Sequence, residues 1–139
     1  MNLLHIIVTA LSYLVVDLPW VMYGAKALKL DWNSAVGIIQ GYPMKARPTV
    51  ALISYLMIAV CIYYFGVKDK VNNSLKNQLM DSFMIALAVY GSFDLINYAI
   101  FEKLPLHVAV ADVVWGVISV SLTVLLSTML IKRLKLENI

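Results

Sequence analysis

Cysteine is almost missing from this chain. Cys61 stands alone inside an apolar run, so no intrachain disulfide forms, and redox or zinc chemistry built on paired cysteines is excluded. Charge is scarce as well, at 14% of residues, where a soluble domain carries about one quarter. Lysine and arginine sit at the edges of apolar segments, which leaves no basic face for nucleic acid to follow. The net charge of +3 therefore reads as anchoring at membrane edges. The chain also lacks HExxH, GxSxG and a phosphate-binding glycine loop, so no familiar catalytic signature is available.

Apolar residues are abundant, at 62% of 139. That balance implies an integral, multi-pass membrane protein, with residues 1–139 forming one transmembrane domain. Crossing a bilayer takes about 20 apolar residues, and four segments reach that length, at about 3–23, 48–65, 79–101 and 107–131. The fold expected is all-α, a four-helix transmembrane bundle. Gly24 and Gly66 stand where C-cap glycines end the first two spans, and Pro48 opens the second as a first-turn proline. Asp81 opens the third, where an acid suits a helix N-terminus. The first segment resembles a signal peptide at Ala25-Lys26-Ala27, but lacks a basic leader and is interrupted by Asp17 and Pro19, so it reads as a retained span.

Four spans put both termini on one side. That side carries six basic residues (Lys68, Lys70, Lys76, Lys132, Arg133 and Lys135) and the other five (Lys26, Lys29, Lys45, Arg47 and Lys103), a balance leaning to cytoplasmic termini. Residues 132–139 read as a helix end emerging into water. Between the first two spans, Ser34 to Gln40, with Trp32 shortly before and Tyr42 shortly after, reads as a short interfacial helix capped by Asn33 or Ser34, with a lid folded over a site as the alternative.

Within these spans stand three carboxylates unaccompanied by any base: Asp17, Asp94 and Asp112. Each costs roughly 2.5–3.5 kcal/mol at the centre of a bilayer. Counted along their helices, all three fall roughly 7–11 Å below one interface, on the side of the long loop. Each heads a polar stripe at helical spacing. Thr9, Tyr13, Asp17 and Trp20 form the first; Tyr90, Asp94, Asn97 and Tyr98 the second; Asp112, Trp115, Ser119 and Thr123 the third. Such stripes face one another in a bundle, because otherwise they point carboxylates at lipid. Ser54 and Tyr55 on the second span offer support without charge. The spacing Asp-x-x-Trp occurs twice in antiparallel spans, as Asp17–Trp20 and Asp112–Trp115, consistent with an inverted repeat or with chance. Pro19 breaks the backbone bond to Val15 and is expected to kink the first span beside Asp17.

Three carboxylates in one small space cannot all ionise cheaply. The candidate site is thus Asp17, Asp94, Asp112 and Asn97, supported by Tyr13, Trp20, Tyr90, Trp115 and Ser119. Its expected partners are the lipid bilayer and protons or small cations, in a channel or exchanger. Oxygen ligands favour a hard ion, and if a metal binds, Asp17, Asp94 and Asp112 are its ligands. His107 is badly spaced for ligation and His5 lies at the other interface. No cofactor and no nucleic acid is expected. Two alternatives stand beside transport. One is an intramembrane enzyme using the aspartates as acid, base or metal ligands, although no catalytic residue is assigned. The other is an assembly or regulatory helper. A homo-oligomer is a further candidate, with Gly91 and Gly116 offering close approach.

The run from Tyr90-Gly91 through Asp94-Leu95 to Asn97, together with Asp112-Val113-Val114-Trp115-Gly116, carries a resemblance. The chain resembles a family of small four-helix membrane proteins, with bacterial and large-virus members, classed as a domain of unknown function. That family's pattern is Tyr-Gly-x-x-Asp-Leu-x-Asn in the third helix and Asp-x-x-Trp-Gly in the fourth, with an acid followed by Trp in the first. The resemblance covers nearly the whole chain. It implies the four-helix fold and the same polar positions, and it implies no activity.

Overall fold

The computed structural model describes residues 2–134 and Leu136, and every regular element among them is helical. Four helices are long and apolar enough to cross a membrane: α1 (Leu3–Ala27), α3 (Pro48–Val67), α4 (Leu75–Ile100) and α5 (Leu106–Arg133). The short α2 (Trp32–Gln40) joins the first two. Of the expected C-terminal exit into water, Lys132 and Arg133 are exposed at the end of α5, while Lys135 and residues 137–139 lie outside the described residues.

Local chemistry explains the helix ends, and several differ from expectation. Asn2 caps α1 by accepting from the Leu4 and His5 amides. Ser74 caps α4, so that helix starts at Leu75, a turn before the apolar run begins. Asp81 is accordingly not at the N-terminus; it pairs with Lys70 at 2.9 Å. Asp31, rather than Asn33 or Ser34, caps α2, its carboxylate accepting from the Ser34 amide at 2.9 Å.

Gly24 and Gly66 end no helix. Both have neighbours in contact instead: a methyl on Gly24 would meet the Trp20 ring, and one on Gly66 would lie 2.8 Å from Val124. The left-handed C-cap glycine is Gly41, at φ 78°, which closes α2. At the end of α1 that conformation falls to Lys29, at φ 59°.

α1, α3 and α4 each contain one wide, five-residue π turn, at Trp20–Gly24, Tyr63–Val67 and Leu87–Gly91. A π turn inserts an extra residue into the ladder and rotates the helix beyond it. In α1 it follows Pro19 directly, so the helix runs on to Ala27 instead of ending near Tyr23.

The bundle interior is polar for its size. α5 buries one face over its whole length, from Val108 through Gly116, Ser119 and Thr123 to Ile131. Its hydroxyls bond back into their own helix: Thr123 donates to the Ser119 carbonyl at 2.7 Å and Ser127 to the Thr123 carbonyl at 2.6 Å. That satisfies them without partners across the bundle. The apolar core gathers around Tyr13, Ile62, Tyr63, Val120 and Val124, while Leu, Val and Met side chains cover the outside, as a lipid-facing surface requires. Gly116 is buried within this core, where any side chain would collide with the Tyr90 ring. Its small size is used inside the chain, against Tyr90.

A candidate site of three aspartates

The buried face of α1 repeats every three to four residues as Thr9, Ser12, Tyr13 and Asp17, and it delivers Asp17 to the interior at 3% exposure. The Tyr55 hydroxyl of α3 donates to Asp17 Oδ2 at 2.6 Å, and the Trp115 indole N–H of α5 donates to Oδ1 at 2.8 Å. Asp17 thus ties three helices together with neutral donors. Ser119, one turn on from Trp115, lies within reach of the same carboxylate.

Trp20 stacks on Trp115 with ring centres 4.6 Å apart and planes 15° from parallel. The doubled Asp-x-x-Trp spacing therefore has a spatial consequence. Two antiparallel helices with their motifs at one depth bring both indoles face to face, and one of them reaches the acid of the other helix.

Asp94 and Asp112 form a second group. Asp94 is fully buried, and its Oδ1 accepts from the Trp32 indole of α2 at 3.1 Å. Its Oδ2 is buried with no hydrogen-bond partner among the described residues. The carboxyl of Asp112 lies close to that of Asp94 and also beside Trp32. Above Asp17, the Tyr13 and Tyr90 hydroxyls bond to each other, joining α1 to α4.

Of the expected site, the structure brings Asp17, Asp94, Asp112, Tyr13, Trp20, Tyr90, Trp115 and Ser119 into one layer. Asn97 stands apart: its amide donates to the Phe93 carbonyl at 2.7 Å within its own helix. Tyr98 is exposed, so the α4 stripe stops at Asp94. Nor do the acids converge as a metal-ligand trio, for among the described residues no three of His, Cys, Asp and Glu come together in that way. Lys45 and Arg47 are exposed and reach none of the carboxylates.

Sequence reasoning ranked Tyr55 as mere support and read Trp32 as an interface residue. Both are direct donors to the acids. No spacing rule could identify them, since each sits on a different element from the carboxylate it serves. α2 is also more than a surface strip. Ala35 is buried against Leu104, Val108 and Ala109, and that docking carries Trp32 over the acids, as the lid alternative requires.

Beside the acids opens a cavity of about 600 Å³, lined by α1, α3, α4, the segment around Asp31, and Asp112 of α5. Chemically the layer can hold positive charge: it combines three carboxylates with neutral hydroxyl and indole donors, and its described basic residues stay at the edges.

Comparison with known proteins returns one finding. A family model described as "Predicted membrane protein (DUF2177)" matches residues 2–129. No curated protein and no solved structure matches.

Proposed function

The chain belongs to the DUF2177 family of predicted membrane proteins, and from that premise we propose that it binds and exchanges a proton or small cation at the Asp94–Asp112 pair. One observation carries the reading. A buried carboxylate oxygen of Asp94 has no donor among the described residues, and a second acid, Asp112, lies close to the same carboxyl. An unpaired buried charge costs several kcal/mol, and two of them side by side also repel. One shared proton, or one cation, removes both penalties at once.

The surroundings support movement as well as binding. From the acids, buried hydroxyls continue towards the side of the termini, with Ser12 and Thr9 on α1 and Ser119, Thr123 and Ser127 on α5, all at 2% exposure or less. Ser12 Oγ has no partner among the described residues, which leaves it free to join a relay. In the other direction the cavity reaches Asp112. The other hydroxyls donate to carbonyls of their own helices and would have to turn from them to pass a proton on.

The test is proton flux into liposomes containing the purified chain, followed with an internal pH dye under an imposed gradient. Wild type is expected to move protons and Asp94→Asn to lose that movement while remaining folded. Equal flux from both proteins, or none from folded wild type, would overturn the proposal.

A further inference from the structure

The cavity is far larger than a proton or a metal ion needs. A water molecule's share of liquid volume is about 30 Å³, whereas this space holds about 600 Å³. Its lining is also one-sided in charge: Asp17, Asp31 and Asp112 contribute to it, and no lysine or arginine does. Lys26 stands near Asp31 and offsets that outer acid, but the two inner acids have no such neighbour. Six of the other lining residues are aromatic, Tyr13, Trp20, Trp32, Tyr55, Tyr90 and Phe93, and most of the rest are aliphatic. Ring faces attract cations, most strongly where water is excluded.

Near the loop they share, α3 and α4 pack closely, with Gly66 against Ile85 and Val124. Towards the other end residues 48–54 of α3 are exposed on every side, Val50, Leu52 and Ile53 among them. Ala51 and Tyr55 on its inner face line the cavity opposite Tyr90 and Phe93 of α4.

We infer that this cavity binds a lipophilic organic cation, an amine or quaternary onium with apolar substituents that fit its aromatic and aliphatic wall. Its positive centre sits between Asp112 and Asp17 and against the aromatic rings. The inference rests on the proton reading for its exchange partner: one cation bound at the acids releases the one proton shared there, so charge balances. The groups facing that exchange are Asp17, Asp94, Asp112, Tyr13, Tyr55 and Tyr90, with Asp31 and Lys26 at the rim. A phospholipid headgroup is disfavoured because its phosphate would lie among carboxylates.

Calorimetry on the detergent-purified full chain would compare tetraphenylphosphonium with tetraphenylborate, an anion of the same shape. Saturable binding of one phosphonium per chain is expected, with no binding of the borate. Asp112→Asn should weaken the phosphonium by about tenfold, the scale of one desolvated charge contact. Asp112→Glu, which keeps the charge, should retain most of the affinity. Equal binding of both ions, or equal affinity in wild type and a folded Asp112→Asn, would mean apolar partitioning and overturn the inference. The infrared carboxylic-acid band, compared between wild type and Asp94→Asn, reports the shared proton without any organic ligand. A band lost in the variant, with no phosphonium binding to wild type, overturns the organic-cation site and leaves the proton site standing. Phosphonium binding with no such band supports the cation site and overturns the shared proton.

Discussion

Replacing Trp115 with phenylalanine separates the two things its indole does. The N–H donates to Asp17 Oδ1 at 2.8 Å, and the ring stacks on Trp20 at 4.6 Å. Phenylalanine keeps most of the stack and removes the donor. Because Asp17 is only 3% exposed, water cannot readily replace that donor, and Oδ1 is left short of a partner. A hydrogen bond to a charged group contributes about 1.5–3 kcal/mol in soluble proteins, whereas contacts between membrane helices average about 0.6 and reach about 1.7. The acceptor here is a buried carboxylate that joins α1 to α5, so the upper end of the membrane range applies, about 1.5 kcal/mol. The thinner ring forfeits part of a stacking term of about 0.5–1.5 kcal/mol. The expected total is about 2 kcal/mol, roughly a thirtyfold shift in the folded-to-unfolded ratio.

Trp20→Phe is the matched control. It disturbs the same stack, and Trp20 makes no hydrogen bond to either acid, so its cost should stay near 0.5 kcal/mol, part of that same stacking term. Reversible unfolding in mixed micelles would measure both. In an Asp17→Asn background, where the acceptor is neutral, the cost of Trp115→Phe should fall by about 1 kcal/mol. If the two tryptophan variants lose equal stability, and the Asp17 background changes nothing, Asp17 is not anchored in the way described.

Gly116→Ala places a methyl inside the space of the Tyr90 ring and should cost on the order of 1–3 kcal/mol by overpacking. Gly91→Ala, whose methyl would sit 3.6 Å from Leu87, should be tolerated, and thermal melts of the two would show the contrast. Asp31→Ala removes the cap of α2 and should cost about 1 kcal/mol. The Ser34 side chain first, then the Ser34 amide and Lys26, hold the Asp31 carboxyl below its ordinary value of 3.8. A carboxyl lowered in the folded state contributes stability above its unfolded value and loses it as pH falls through the folded one. The melting difference between wild type and Asp31→Ala should therefore be complete at neutral pH and shrink only below the ordinary value; a difference that vanishes near neutrality would contradict this.

Apolar length and stripe periodicity made the four helices and most of the acid layer readable from the chain. Asp17 and Tyr13 were legible because one four-residue step on a helix keeps them on one face. Asn97 shows where that logic fails. It lies three residues beyond Asp94 on the same nominal stripe, yet its amide is taken by the Phe93 carbonyl and the stripe ends before it. The π turn at Leu87–Gly91 rotates Asp94 relative to the residues before the turn, and periodicity counted on an ideal helix cannot include that rotation. The first turn of α4 is hard to read for a different reason: Ser74 to Gln78 holds a single apolar residue, Leu75, so the apolar run begins only after the helix does.

By itself, the order of residues determined that this chain is a four-helix membrane protein with three carboxylates at one depth. Hydrophobic length and helical rise are properties of each segment alone, so no partner is needed to read them. Only the tertiary structure decided that Asp17 is held by Tyr55 and Trp115, that Asp94 faces Asp112, and that Trp32 closes over the pair. Those contacts join α1, α2, α3, α4 and α5, and which face of one helix meets which face of another depends on packing across the whole bundle. The start of α3 is the clearest case. Nothing in residues 48–54 marks them as exposed on every side, yet they are, and Ala51 and Ser54 among them line the cavity beside the acids.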